Sequence, residues 1–479
     1  MSFVIYDLTF LVVSLVALGV FFYKKRKNFS IEGPMYLYRT KFGLKIIDWF
    51  GKKHAKWLRP LQYAVVSFAY ILMVFSIWLI AYSTYLYIRY PAVSKAVKAP
   101  PIFPIFPYFT KFFGLSAFFP PFYFTYFIIS IAIVAIFHEF SHGIFAKLNK
   151  IGIHSTGFGF LRLFKIPLPF LGAFVEQDDK QMQKAGKFEQ LSVLGAGVFA
   201  NIVLAGLFLA LFWLFFLAAF QPIGVGFNDY ATSAVNVSEI SAIQGIHISS
   251  LSNNTQLSFS NNTKYLSIES HNITYFTTPY ILEETLKRGI PALGVYENSP
   301  AFNASLRGVI TSFDGKKVDS TESLINGIHE QRPGDRVKVE TIYNGEKEVY
   351  DITLSERNGV AYLGISAGGS VQRRGIMSYI VVLTPKINDY YTGVVYESKI
   401  GEFGVFIFNL FWWIVIINAL VALFNMLPLG ALDGGRFFMI TIWGITGSKK
   451  AGEKGFKWAT WVILALLAIL MLRWIFAFF

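Results

Sequence analysis

Apolar and polar residues alternate along this chain in long blocks. Six predominantly apolar runs fall near residues 4–23, 63–88, 122–147, 190–220, 404–428 and 457–478. About 20 such residues suffice to cross the hydrocarbon core as a helix. The blocks therefore predict a polytopic α-helical membrane protein with about six transmembrane helices. Between the fourth and fifth runs the pattern changes, and residues 221–400 are polar and rich in turn signals. Within them, 290–366 alternates short β-type runs (RVKVETIY, EVYDITL) with NG and DG turns and one helical segment, STESLINGIHEQ. That pattern predicts a small inserted α/β domain outside the membrane. Residues 228–285 carry no pattern that assigns them.

Charge orients these blocks. The formal net charge of +14 is carried largely in short connections such as KKRK at 24–27 and GKKHAKWLR at 51–59. Basic residues beside spans signal topology and contact anionic lipid, so no nucleic-acid partner is expected. The clusters at 24–59, 147–187 and 449–457 are placed in the cytosol, with both termini and residues 221–400 outside. Asn-x-Ser/Thr triplets at Asn236, Asn253, Asn261, Asn272 and Asn303 agree with an exterior location. One external loop, 89–121, is itself basic (Arg89, Lys95, Lys98, Lys111) and rich in proline and aromatics. It is expected to dip back into the interface as irregular backbone. Within the first run, the stretch LTFLVVSLVALGVFFY at 8–23 follows Asp7 rather than basic residues and precedes KKRK rather than a cleavage site, so it reads as a retained span. With 54% hydrophobic residues and a mean hydropathy of +0.49, the chain is too apolar for a soluble protein of its size. Cysteine is absent, so a metal would be held by histidine and carboxylate.

The third run contains HEFSH, residues 138–142. An ionisable side chain at the centre of a membrane helix costs roughly 2.5–3.5 kcal/mol on insertion scales, so it persists there for a task. On a helix, positions i and i+4 share a face, and His138 and His142 can direct their rings at one Zn²⁺ with Glu139 beside it as general base. A catalytic zinc needs a third protein ligand. His54, His154, His247, His271 and His329 lie in connections or in the polar block. Among carboxylates, Asp433 in NMLPLGALDGGRF, at the cytosolic end of the fifth run, stands at similar depth to His138. Glu176, Asp178, Asp179 and Glu189 are the alternatives, and a D-G-G segment is by itself also a helix-ending turn.

HEFSHG followed far downstream by NMLPLGALDGG resembles the paired signature of the site-2 protease family of intramembrane zinc metalloproteases. GAFVEQDD at 172–179 is similar to that family's strand after the first motif, and GAGVFANIVLA at 195–205 to its small-residue span. Val198 departs from it, standing where relatives have proline. The resemblance implies His138, His142 and Asp433 as ligands of one zinc per chain, with Glu139 as catalytic base. It further implies Asn425, Pro428 and Asn201 near the substrate. GVYENSPAFNASLRG…DGKKV…PGDRV resembles a PDZ domain at about 290–366, without the usual Gly-Asp after the A-x-L-x turn.

The organisation expected is thus 1–121, N-terminal spans and aromatic loop; 122–220, core with HExxH; 221–400, extracytoplasmic region; 401–447, core span with the LDG motif; 448–479, last span. The implied activity is zinc-dependent hydrolysis in transmembrane segments of single-span membrane proteins already trimmed by another protease. Peptide termini are candidate partners of the PDZ-like domain. The substrate strand could pair with the FVE edge near 174–176. The cell membrane is the expected location, with the zinc site toward the cytosol. Two other classes fit less of the sequence. A scaffold without catalysis has no use for Glu139 beside His138, His142 and Asp433, and a metal transporter has none for the inserted domain.

Overall fold

The computed structural model describes residues 3–33, 35–90, 100–116, 119–163, 166–248, 263–367, 393–430 and 432–476. Asn253, Asn261, Lys95 and Lys98 lie outside them. The chain divides into two compact units, residues 1–218 with 405–479, and residues 219–404.

The first unit begins with α1 (Phe3–Lys25), the strands β1 (Phe29–Glu32) and β2 (Met35–Thr40), α2 (Leu44–Lys53) and α3 (Ala55–Arg89). A short helix, α4 (Phe109–Phe112), precedes α5 (Phe124–Leu148), then β3 (Ile153–Leu163), β4 (Ile166–Gln177), α6 (Asp179–Lys184) and α7 (Lys187–Ala219). After the second unit, which supplies β5 to β19 and α8 to α10, come α11 (Gly401–Asn425), α12 (Asp433–Thr446) and α13 (Lys449–Ile475). Among the described residues six helices, α1, α3, α5, α7, α11 and α13, are long and apolar enough to cross a membrane.

Small residues let these helices approach closely where lipid gives no hydrophobic incentive to associate. A Cβ built on Gly195 of α7 would stand 3.1 Å from that of Ala69 in α3. Around this contact Val65, Leu194, Ala196, Val198, Met426 and Phe437 form the buried core. Val198 is thus accommodated as core. In the proline-rich loop, Phe109 and Phe122 pack on Trp413 of α11 with centroids 5.7 and 4.3 Å apart, and the Trp413 indole donates to the Pro121 carbonyl (3.2 Å).

Residues 29–40 and 153–177 form an antiparallel sheet in the order β1-β2-β3-β4. Only the FVE end of it is legible as strand from sequence. Phe22 of α1 sits on it, stacked against Phe29 (4.6 Å) and edge-on to Phe160 (4.7 Å). Gly157 is required there: a Cβ would meet the Tyr38 carbonyl at 2.3 Å and the Phe174 ring at 2.5 Å.

The second unit holds two larger sheets. Strands β6 (Thr232–Asn236), β7 (Ile240–Ile243), β8 (Ile246–His247), β9 (Leu266–Ser270), β10 (Ile273–Thr277) and β11 (Ala292–Glu297) pair in the order β6-β11-β10-β9-β7-β8. Helix α8 (Pro279–Lys287) closes their core of Ile240, Leu266, Ile268, Leu282 and Leu293. The described parts of the stretch 228–285, which has no assignment from sequence, are therefore mostly a β-module. It also claims β11, so the boundary drawn at about 290 moves past Glu297.

The other sheet runs β15-β14-β12-β5-β18, with β13 on β12 and β19 on β5. Its strands are β5 (Phe220–Tyr230), β12 (Val309–Phe313), β13 (Lys316–Lys317), β14 (Arg336–Tyr343), β15 (Glu346–Thr353), β18 (Ile365–Ala367) and β19 (Val394–Ser398). Helices α9 (Pro300–Asn303) and α10 (Thr321–His329), and the β16 (Ser355–Arg357)–β17 (Val360–Tyr362) hairpin, complete the module. Asn344-Gly345, Asp314-Gly315 and Asn358-Gly359 have positive φ at both residues, as type I′ turns require.

Candidate active site

The helix carrying HEFSH is fixed at both ends. Its start lacks a cap from its own sequence, and Asp7 of α1 supplies one. The Asp7 carboxylate accepts from Phe124 N (2.9 Å), Thr125 N (2.8 Å), Thr125 Oγ1 (2.6 Å) and Tyr108 OH (2.5 Å). At 1% exposure it is fully withdrawn from solvent, so these four donors are its whole environment. Its negative charge also suits the positive end of the helix dipole. At the far end, Ile151 N bonds to Ala146 O and Lys150 N to Lys147 O, with Lys150 at φ 60° closing a Schellman turn.

Two turns before that end, His138 and His142 are buried on one face of α5. The third group, Asp433, begins α12 rather than ending a helix. Gly434 and Gly435 allow this, because Cβ atoms there would stand 2.4 Å from Met426 O and 2.2 Å from Leu429 O. The start of α12 thus lies directly on the backbone of the 426–429 turn.

These placements bring three donor atoms together. Asp433 Oδ2 is 3.2 Å from Nε2 of both His138 and His142, and the two Nε2 atoms are 3.1 Å apart. Among the described residues, His138, His142 and Asp433 form the cluster able to hold a metal ion. Ligand atoms about 2.0–2.1 Å from a tetrahedral zinc lie about 3.3–3.4 Å from one another, so the triangle fits with little adjustment. A Cβ on Gly197 of α7 would stand 2.4 Å from His142 Nε2 and 2.7 Å from His138 Nε2. The space facing both rings is kept clear by a missing methyl group.

Both outer ring nitrogens have a partner, as metal-binding imidazoles require. His142 Nδ1 donates to the Val193 carbonyl (2.7 Å), leaving a lone pair on Nε2. The Asn201 amide, 0% exposed, lies 3.1 Å from His138 Nδ1. A metal on Nε2 puts the ring proton on Nδ1 and asks for an amide oxygen there. The amide is placed with Nδ2 toward Nδ1, and Oδ1 has no partner among the described residues, so turning the amide over supplies that acceptor. Asn425 approaches from α11, its Nδ2 3.4 Å from His138 Nε2. Pro428 is buried in the 426–429 turn, and its carbonyl accepts from Thr460 of α13 (3.0 Å).

Glu139 faces the sheet. Its Oε2 accepts from Val175 N (3.0 Å) on β4, the last strand of the four. Val175 pairs with Thr156, and its N–H points away from β3 toward the sheet's open edge. The register beside it is tied by Glu176, which accepts from Arg39 Nε (3.0 Å) and Ser155 Oγ (2.5 Å). Arg39 also bonds Glu32 (2.5 Å) and Ser30, so one polar row crosses all four strands. The Ser155 hydroxyl, and then Arg39, hold the Glu176 carboxyl below its ordinary pKa. The other carboxylates considered from sequence stand apart from the donor triangle. Asp178 caps α6 by accepting from Gln181 N (3.0 Å), Asp179 is in α6, and Glu189 is in the first turn of α7.

A helical HExxH pair and a carboxylate from a second helix are the donor set of a mononuclear zinc hydrolase. The family model described as Peptidase family M50 matches residues 126–470, and the chain belongs to that family. Among curated relatives, the zinc metalloprotease RasP of Shouchella clausii (strain KSM-K16) is 26% identical over 184 residues, 33% of this chain and 44% of that protein. The match thus spans less than half of that relative's length. A provisionally named zinc metalloprotease of Clostridium perfringens (strain 13 / Type A), CPE1693, is 21% identical over 339 residues, 66% of this chain and 87% of that one. Among solved structures, the PDZ domain of an SdrC-like protein from Listeria monocytogenes is 30% identical over 15% of this chain and 77% of its own, with a TM-score of 0.14.

Proposed function

We propose that this chain is an intramembrane zinc endopeptidase that cuts single-span membrane proteins within or beside their transmembrane segments. One observation carries the reading: two helices deliver His138, His142 and Asp433 to a triangle of zinc-ligand size, with Glu139 one residue from His138. His138 and His142 through Nε2 and Asp433 through Oδ2 would hold the ion. When bound, it supplies Lewis acidity, polarising a carbonyl and drawing the pKa of water toward about 7. Glu139 takes the proton from the attacking water and delivers it to the leaving amine nitrogen. The Val193 carbonyl holds the His142 ring in the tautomer that leaves Nε2 unprotonated, and Asn201, with its amide oxygen turned to Nδ1, does the same for His138. Asn425, the second amide near His138 Nε2, is a candidate donor to the substrate carbonyl.

A substrate segment must give up its helical hydrogen bonds before its backbone can be cut. The open edge of β4 offers replacement partners by strand addition near Phe174–Glu176. Pairing at Val175 competes with Glu139 for the same N–H, so substrate engagement frees the carboxylate. In the second unit, α10 and the β17–β18 segment border a cavity of about 500 Å³ lined by Leu324, Ile328, Leu363 and Ile365. β18 ends its sheet, so this PDZ-like module suits capture of an extended peptide terminus. The basic connections support a zinc site toward the cytosol and a second unit outside.

The test is cleavage of a single-span substrate by the purified full chain. Activity should disappear with a chelator, return with zinc, and be absent from Glu139→Gln. Cleavage that persists after zinc removal would refute the reading.

A further inference from the structure

A second cavity lies in the membrane unit, away from the zinc-type triangle. It measures about 600 Å³ and is bordered by the start of α3, the end of α5 and the start of α7. Arg59, Gln62 and Tyr63 line it from α3, Lys150 from the turn after α5, and Phe188 and Glu189 from the first turn of α7.

Two cations, Arg59 and Lys150, face one acid, Glu189, across it. Neither Arg59 nor Lys150 has a carboxylate partner among the described residues. Gln62 is only 7% exposed, and both of its bonds use the carbonyl end. Oε1 accepts from Asn149 Nδ2 (3.0 Å) and Ser192 Oγ (2.8 Å). The Nε2 group has no partner among the described residues, and the oxygen's commitment to the helix interface leaves the nitrogen turned to the cavity it lines. That nitrogen keeps access to the cavity and is available to donate to a ligand there. Glu189 is turned back to the residue before its helix: its Oε2 would lie 2.1 Å from a Cβ on Gly186. The Tyr63 and Phe188 rings, 4.9 Å apart, make an aromatic flank.

The geometry points to a binding site for the phosphate of an anionic phospholipid headgroup. Arg59 and Lys150 supply charge, and the Gln62 amide supplies a neutral donor at the floor. Position favours lipid over soluble phosphate, because Arg59 immediately precedes the apolar run of α3 and Lys150 immediately follows α5. A headgroup there has acyl chains level with the spans. Its floor is also the Gln62–Asn149–Ser192 network, which joins the end of the HEFSH helix to α3 and α7. Occupancy is therefore expected to stiffen the support of that helix.

The experiment is native mass spectrometry of the full chain in detergent with added phosphatidylglycerol or phosphatidylcholine, and a competition arm with millimolar inorganic phosphate. Phosphatidylglycerol should be retained at least about tenfold better than phosphatidylcholine, given two unpaired cations at the surface. The Arg59→Gln/Lys150→Gln variant, shown to be folded by unchanged melting in phosphatidylcholine, should bring that ratio near unity. Equal retention of the two lipids by the unaltered chain overturns the site without recourse to any variant. An intact preference in the folded double variant overturns its location. Displacement of the lipid by inorganic phosphate overturns the lipid assignment.

Discussion

The two units dispose of their polar groups in opposite ways. In the second unit, charges meet at the surface, as in Arg307–Glu348 (2.6 Å), Arg357–Glu297 (3.1 Å) and Lys316–Glu330. Exposed pairs of this kind are worth about 0–1 kcal/mol. Its order comes from burying Ile310, Phe313, Leu324, Val337 and Val339, as in any water-soluble domain. In the membrane unit the order reverses. Apolar side chains such as Val74, Trp78 and Leu214 are exposed, while Asp7, Gln62, Ser192, Asn201, His138 and His142 are buried. Lipid does not discriminate among apolar helix faces, so hydrogen bonds and glycine contacts choose the partners. In that unit the residues that set the architecture and those that carry the chemistry are of the same kind.

Loss of the cleared space beside the rings should have the largest effect. Gly197→Ala places a methyl group among the donor atoms and should reduce zinc content to background, measured by elemental analysis, with melting of the second unit unchanged. Asp433→Ala should lower zinc occupancy sharply and Asp433→Asn partially. Replacement of Glu176, Asp178, Asp179 or Glu189 should leave occupancy near that of the unaltered chain. In the second unit, Phe313→Ala should cost about 3–5 kcal/mol, the range for a buried phenylalanine, yet spare the zinc. Asp7→Ala removes a charged acceptor from two backbone N–H groups, each such bond being worth about 1.5–3 kcal/mol. It should lower the melting temperature of the membrane unit, and Asp7→Asn should recover part of the loss.

The smallest effect is a pH dependence of the strand clamp. Glu176 is depressed in the fold by Ser155 and Arg39, so its contribution is complete above the ordinary carboxylate pKa of about 4.3. It is lost as pH falls toward the folded value. Both partners are about one-third exposed, so the contribution is under about 1 kcal/mol. Thermal melts between pH 7 and pH 3 should show Glu176→Gln losing less stability in acid than the unaltered chain.

The spans were legible because apolar length alone identifies them, and HEFSH because a helix places i and i+4 together. Asp433 was reachable only through depth and resemblance, since no local spacing links α12 to α5. Asp7 was visible but misused. In sequence it argues against a signal peptide, and the cost of burying an ionisable group in a span, which marks His138 and Glu139, applies equally to it. The β1–β2 hairpin was obscured by its basic flanks, although the alternation around Tyr36, Tyr38 and Arg39 has the period of a strand. The β-module at 232–297 depends on pairing β11 with β6, nearly sixty residues earlier, and long-range pairing of that kind leaves no local signature.

The most direct test of the central claim is to measure zinc content and substrate cleavage together in Glu139→Gln. Glu139 touches Val175 N and lies outside the donor triangle, so the proposed mechanism uses its carboxylate for proton transfer and not for holding the ion. The account predicts one zinc per chain, as in the unaltered protein, and no cleavage of a single-span substrate. Zinc bound as before with cleavage preserved would contradict it.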